Sequence, residues 1–339
     1  MKIAAVIPDA AWRNTAGVRI RYDRLAPELA ALGHALDLMP IDDFRDGAGF
    51  DADVYLFCKT YDARAPLLMR EMQAAGARVG VDFFDDYFSQ TDDSRFVRLR
   101  RWFRSMVRGV DFALCATPRM RDRLGPLAPG VPFHVVNDPS GAVDPAAIAE
   151  TAHRNAARAL RTKRLDIGWF GIGDNPHFRV GLTDLHAFGP MLAEARALGY
   201  DARLRVLTNQ RSLSVERMEM LARLPLPVRV ELWSEAAERA LIADSLACFL
   251  PVNAQSFSTV KSLNRGVTTL SGGAQILSAG YPLYGRLGGF VYRDLWDLIG
   301  DLEAGRLKLR PDTVSGLAEL LNEAGNAPAE AAALATFLA

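Results

Sequence analysis

Short apolar runs rich in β-branched residues alternate with longer segments of helical period along almost the whole chain, and the alternation stops once and then restarts. The first series runs through residues 3–7, then 18–33; 54–58, then 65–75; 79–83, then 96–109; 112–116, then 119–124; and 133–136. Strands separated by helices of this length pair in parallel, because the chain has to recross the sheet before the next strand begins. Residues 138–163 are rich in Ala and polar residues, carry Pro139, Gly141 and Pro145, and hold no strand candidate, so they read as a junction. The second series is 165–170, 181–198, 204–207, 215–223, 228–232, 236–244, 248–252, 259–270 and 275–277. The expectation is an α/β protein of two Rossmann-like, doubly wound parallel-sheet domains, residues 1–150 and 151–339. Ligands are expected at the carboxyl ends of the strands and in a cleft between the domains. Two late helices, 313–323 and 327–338, are free to pack on either half.

A chain of 339 residues is long enough for two such cores. Lys plus Arg and Asp plus Glu both number 40, which removes any global field favouring nucleic acid or a membrane and makes an anion site a local matter. Cys58, Cys115 and Cys248 fall in apolar runs at no metal-ligand spacing and read as reduced core thiols. The opening MKIAAVIPDAAWRN is broken by Pro8 and Asp9 too early for a signal peptide, and no later run approaches a membrane span, so a cytoplasmic protein is expected.

The strongest local signal is SFSTVKSLNRGVTTLSGGAQILSAGYPLY, from Ser256 to Tyr284. A continuous helix there sets Lys261 and Arg265 at i and i+4, both cations on one face with Asn264 beside them. Ser256, Phe257, Ser258 and Thr259 stand near its start, where free N–H groups and the positive dipole end favour an anion. From Ser245 to Arg293 there is no Asp or Glu, where simple proportion gives about six, so nothing repels a diphosphate.

Other loops follow strand ends. Gly171-x-Gly173 after the 165–170 strand fits a tight turn or a ligand-facing loop, and lacks the third glycine of a dinucleotide fingerprint. Thr208 and Asn209 have side chains suited either to a base or sugar edge or to turn chemistry. Gly17 and Arg19 open an early helix, where Arg19 opposes the dipole and an anionic ligand or solvent offsets the misfit. Asp82, Asp85 and Asp86 cluster after a strand. Crowded carboxylates raise one another's pKa, which suits a general base for a sugar hydroxyl, while capping explains the same residues. The segment RFVRLRRWFRSMVR, from Arg95 to Arg108, wraps six arginines around an apolar stripe, either a solvated face or a peripheral contact with anionic lipid.

The order of these segments resembles the two-domain GT-B glycosyltransferases, especially bacterial GT4-like enzymes that build surface polysaccharides. The elements that carry the likeness are GVRIRYDRLAPELAALGH, VDFFDDYF, DFALCATPRMRDRL followed by VVNDPSG, WFGIGDN, and KSLNRGVTTLSGGAQILSAGYP. The resemblance implies transfer of a sugar from a nucleotide sugar to a saccharide or lipid-linked saccharide, at the inner face of the membrane in the lipid-linked case, with no metal or other cofactor. It implies that Lys261 and Arg265 neutralise the leaving phosphate while Asn264 and the 256–259 backbone orient the donor. Gly171, Gly173, Thr208 and Asn209 would line the donor side and Gly17, Arg19 and Asp82 the acceptor or phosphate side, with Asp85 or Asp86 as base. Many retaining members carry two glutamates eight positions apart in the acid-free stretch; this chain has none. A sugar-nucleotide epimerase and a non-catalytic two-lobed binding protein are the rival readings, and no nucleic-acid partner is expected.

Overall fold

The computed structural model describes residues 1–44, 50–141 and 143–339. Met1–Gly141, Val260–Ser262 and Ala324–Ala339 form one compact unit, and Ala142–Thr259 with Leu263–Glu323 form another. The division therefore falls at Gly141, ahead of a helix at 145–162, and residues 324–339 belong with the first unit.

In the first unit β1 (Lys2–Ile7) is followed by a π-helical turn, Val18–Tyr22, that runs into α1 (Asp23–Ala31). Then come β2 (Ala35–Pro40), β3 (Val54–Cys58), α2 (Ala65–Ala74), β4 (Arg78–Phe83), α3 (Val97–Val107), β5 (Phe112–Cys115), α4 (Pro118–Leu124) and β6 (Phe133–Val135). All pairings are parallel, in the order β2-β1-β3-β4-β5-β6. Because helices cover both faces, β1 and β3 to β5 are buried without alternation beyond their first residue. One face packs Met69, Met72, Trp102, Phe103, Met106, Met120 and Leu124 from α2, α3 and α4. The other takes Leu25 and Leu29 from α1.

The second unit repeats the plan. It contains α5 (Pro145–Thr162), β7 (Arg164–Phe170), α6 (Leu182–Phe188), α7 (Glu194–Ala197), β8 (Asp201–Thr208), α8 (Val215–Ala222), β9 (Val228–Leu232) and α9 (Glu235–Asp244). These are followed by β10 (Ala247–Phe249), α10 (Ser256–Thr259), α11 (Asn264–Ser271), β11 (Gln275–Leu277), β12 (Val291–Tyr292), α12 (Leu295–Glu303) and α13 (Val314–Gly325). The sheet order is β12-β11-β10-β7-β8-β9, again all parallel. The order reverses beside β7, so the carboxyl end of β7 is a topological switch point. The final helix, α14 (Ala327–Leu338), is capped by the Asn326 side chain and buries Ala331, Leu334 and Leu338 in the α1 face of the first unit.

Segment 138–163 is more than a junction. Asp144 accepts hydrogen bonds from the N–H groups of Ala146 and Ala147, Pro145 occupies the first turn, and the Ala-rich run forms all of α5. Among the described residues no helix is long and apolar enough to cross a membrane.

The first unit holds a buried ion network. Val18, Arg21, Tyr22, Leu25 and Leu29 recur at helical spacing and are all buried, so Arg21 points inward. Its guanidinium pairs with Asp82, lies 3.0 Å from Asp138, and stacks 4.0 Å from the centre of the Phe84 ring. The Tyr22 hydroxyl donates to the other Asp82 oxygen at 2.6 Å. Asp82, expected on the acceptor or phosphate side, is a buried carboxylate on β4 with Arg21 and Tyr22 as partners. Replacing Arg21 with Met leaves two buried carboxylates without their cation, and the expected loss is about 3–5 kcal/mol. Urea unfolding of Arg21→Met followed by tryptophan fluorescence checks this; a loss below about 1 kcal/mol contradicts it.

Candidate functional site

In the second unit the loop after β7 and the start of α11 come together. Gly171 has φ 150°, a backbone conformation that L side chains rarely adopt, and a Cβ added there would be in van der Waals contact with Arg265 Cζ at 3.5 Å, so the loop backbone runs beside the guanidinium. The Arg265 guanidinium lies 5.0 Å from the Trp169 ring centre and 5.5 Å from that of Phe170. Its Nε and Nη2 groups are shielded from solvent, and no described group accepts a hydrogen bond from either. Asp184 feels the Arg265 charge, yet its oxygens accept from the Gly181 N–H at 3.1 Å and from Asn253 Nδ2 at 2.6 Å. Burial raises the Asp184 pKa above the ordinary carboxylate value, with those bonds and Arg265 opposing. The cation is therefore held against two aromatic rings with donors in hand, a state that an oxyanion would relieve.

The remaining donor-side residues build this loop instead of facing away from it. Thr208 Oγ1 donates to the Gly171 carbonyl at 3.0 Å, and Asn209 Oδ1 accepts from the Gly173 N–H at 3.0 Å and the Ser212 hydroxyl at 2.7 Å. A Cβ on Gly173 would fall 2.5 Å from Thr208 Oγ1, so Gly173 is small for packing and its N–H is already used. The polar groups of Thr208, Asn209 and Gly173, expected at a base or sugar edge, here hold the loop. Asp174, which sequence reasoning passed over, is the loop's hub. It accepts from Ser212 at 2.9 Å and Arg211 at 3.0 Å, and these bonds hold its pKa below the usual range despite burial.

The helix expected to carry Lys261 and Arg265 together is interrupted. α10 ends at Thr259, α11 begins at Asn264, and Lys261 lies in the Val260–Ser262 segment of the first unit. Continuing the helix would require the Val260 carbonyl to accept from Asn264; instead it accepts from the Thr117 hydroxyl at 2.9 Å, and Val260 is buried in the first unit's core. Lys261 and Arg265 are therefore not i, i+4 neighbours on one face. Of the 256–259 turn, Phe257 stacks on Phe178 at 4.4 Å, Ser258 and Thr259 are buried, and Thr259 Oγ1 donates to the Ser256 carbonyl at 3.0 Å. Asn264 opens α11.

In the first unit Asp85 is clamped by two lysines. Lys261 Nζ pairs with one oxygen, and Lys59 Nζ, on the residue that follows β3 at φ 51°, bonds the other at 2.8 Å. Burial pushes the Asp85 pKa up, but Lys261 and Lys59 outweigh it and hold the carboxyl well below the usual range. That is the reverse of the elevation expected from crowding, and it leaves the Asp85 carboxylate weakly basic while both lysines hold it. Asp86 is fully buried and accepts from the N–H groups of Phe88 and Ser89, at 3.2 and 2.9 Å, and from the Ser89 hydroxyl; Arg123 is 3.5 Å away. Asp86 is a turn-forming residue with its lone pairs occupied. Gly17 precedes the π-helical turn with its α-carbon facing the Phe84 ring, and the Arg19 N–H bonds the Thr15 carbonyl. Among the described residues no three of His, Cys, Asp and Glu converge as metal ligands.

Neither a family model nor a curated protein matches the sequence. Solved structures do match the fold. Anabaena Alr3699/HepE in complex with UDP-glucose aligns over 100% of this chain and 99% of its own, at TM-score 0.68 and 12% identity. A structure described as trehalose-6-phosphate from E. coli bound with UDP-2-fluoro glucose aligns over 100% and 99%, at TM-score 0.64 and 10% identity. A UDP-forming α,α-trehalose-phosphate synthase from Burkholderia xenovorans aligns over 85% and 73%, at TM-score 0.54 and 12% identity. With its two six-stranded parallel sheets, the chain has the GT-B fold.

Proposed function

We propose that this chain is a glycosyltransferase that takes a sugar from a nucleotide sugar, a uridine diphosphate sugar in the first instance, and passes it to a saccharide or lipid-linked acceptor of cell-surface polysaccharide synthesis. The observation that carries the reading is Arg265, a guanidinium with two shielded donors and no acceptor at the switch point of the second sheet. The fold is shared with structures that hold UDP-glucose or its fluoro analogue, which supports this choice of donor. In the reaction the bond from the anomeric carbon to the phosphate oxygen breaks and its electron pair stays on that oxygen. The acceptor hydroxyl oxygen forms the new bond to the anomeric carbon, and its proton passes through water to the diphosphate that departs. Arg265 is placed to meet the charge that grows on the phosphate, and donors fixed in advance lower the barrier more than they stabilise bound substrate. The second unit is the donor side in this reading and the first the acceptor side. Charge neutralisation is assigned to side chains, without a metal, and Lys261 serves with Lys59 and Asp85 as a separate cationic cluster.

UDP is expected to raise the melting midpoint of the wild-type protein by several degrees when present at about a hundred times its Kd. Arg265→Ala should abolish that rise and lower kcat/KM with UDP-glucose by roughly 100- to 1000-fold, with the melting point in the absence of ligand retained. A variant with full turnover would remove Arg265 from the mechanism, and epimerised donor formed without acceptor would favour the epimerase reading.

Asp85 supplies a pH test. Its folded pKa lies below that of the unfolded chain, so its contribution to stability is present above about pH 4 and is lost as pH falls toward the folded value. Asp85→Asn should be less stable than wild type at pH 7 and should lose less between pH 5 and 2.5. Denaturant midpoints across that range measure it, and parallel acid limbs in the two proteins would refute the clamp.

A further inference from the structure

We propose that the solvent face of α3 is a docking surface for anionic phospholipid. At 100° per residue the exposed residues of this helix, Val97, Arg98, Arg101, Arg104, Ser105 and Arg108, fall within an arc of roughly 120°, while Trp102, Phe103 and Met106 fill the opposite side. No described residue makes an ion pair or hydrogen bond to Arg98, Arg101, Arg104 or Arg108. The contrast with the arginines at the edge is clear: Arg95 pairs with Asp93 at 2.6 Å, and Arg100 bonds the carbonyls of Gln90 and Asp93. Of the acids that flank the helix, Asp93 is committed to Arg95 and Asp111 to the Val79 N–H at 2.7 Å and to Gln73, while Asp92 is exposed with the Thr91 hydroxyl 3.5 Å away. Ahead of neighbouring α2, Asp62 bonds Arg64 at 2.8 Å and also feels the Arg98 charge; on α2 itself Glu71 is the one acid, and Arg70 adds another exposed cation.

Spacings of three and four place these arginines beside like charges, and Arg98 sits in the first turn, where the helix dipole already disfavours a cation. Exposed helices of the second unit are built differently: α8 and α9 carry Glu219–Arg223 and Glu235–Arg239 pairs at i, i+4. The self-repulsion of α3 is relieved by a partner with repeated negative charge spread over about 15 Å, the rise of the ten residues from Arg98 to Arg108. Two exposed apolar side chains choose between polyanions. Val97 is 36% exposed within the arginine arc, and Leu67, on the first turn of α2, is 61% exposed. Such groups enter the headgroup and acyl boundary of a bilayer, whereas a nucleic-acid backbone offers them nothing.

The test is co-sedimentation of the whole chain with vesicles of phosphatidylcholine alone and with 30% phosphatidylglycerol. Wild type should sediment with the anionic vesicles at 50 mM NaCl, remain in solution with the neutral ones, and be released at 500 mM. Each arginine near such a surface is worth about fivefold in partitioning, about 1 kcal/mol, so Arg98→Gln/Arg101→Gln/Arg104→Gln/Arg108→Gln should weaken it several hundred-fold. The same variant should keep the melting point and the UDP-induced shift of wild type, which separates this proposal from the donor reading. Equal sedimentation of variant and wild type would overturn it. So would binding of wild type to a 20-base-pair DNA duplex, lost in the variant, without vesicle binding, since that outcome assigns the face to nucleic acid.

Discussion

A guanidinium that keeps its charge inside a protein needs acceptors, and Arg265 is given rings and a glycine instead. Each shielded donor without an acceptor costs about 1–3 kcal/mol, more when the group is charged. The surrounding structure is arranged to maintain that state. β7 lies between β10 and β8, Gly171 brings the strand-end backbone close without a side chain, and the loop behind it is fixed by Thr208, Asn209, Ser212 and Asp174. Asp184, the acid within electrostatic range, has both oxygens engaged by Asn253 and the Gly181 N–H. The loop is therefore rigid, polar behind and cationic in front, which is the arrangement that favours a developing oxyanion over water.

The same accounting applied to the first unit gives the opposite result. Three carboxylates crowded after β4 invite a proton-transfer role, but crowding matters only for charges that lack closer partners. Arg21 and Tyr22 take Asp82, Lys59 and Lys261 take Asp85, and a turn takes Asp86. For Asp85 the two ammonium groups outweigh burial, so the pKa moves down. A carboxylate held in that way is a poor base and a good electrostatic post.

Much of the fold was legible because buried parallel strands have a strong signature. Segments 54–58, 228–232 and 275–277 read as the strands that form, and 327–338 as α14. The misses have local causes. β2 is an edge strand paired with β1 alone, half exposed and ended by Pro40, so it lacks the apolar run of its neighbours. β12 is two residues long. α5 was hidden by its Ala and polar content, although Asp144-Pro145 is a readable start signal. Arg21 was readable as well, since its spacing from Val18, Leu25 and Leu29 puts it on the buried face. The break between Lys261 and Arg265 was not, because the hydroxyl that diverts the Val260 carbonyl belongs to Thr117, far away in sequence.

The chain's arginines separate into three environments, and function follows the environment rather than the residue type. Arg21 is buried and doubly paired; its charge is satisfied by Asp82 and Asp138, and it stabilises a core. Arg265 has two shielded donors that no described group accepts from, the feature on which the donor-site proposal rests. Arg98, Arg101, Arg104 and Arg108 are exposed, and no described residue makes an ion pair or hydrogen bond to them, so water solvates each one, and the Asp62 charge near Arg98 offsets only part of their mutual repulsion. A single small anion would relieve little of that repulsion, because the charges are strung along a helix. A surface of many anions relieves all of it at once, and the exposed Val97 and Leu67 make a bilayer the surface that fits.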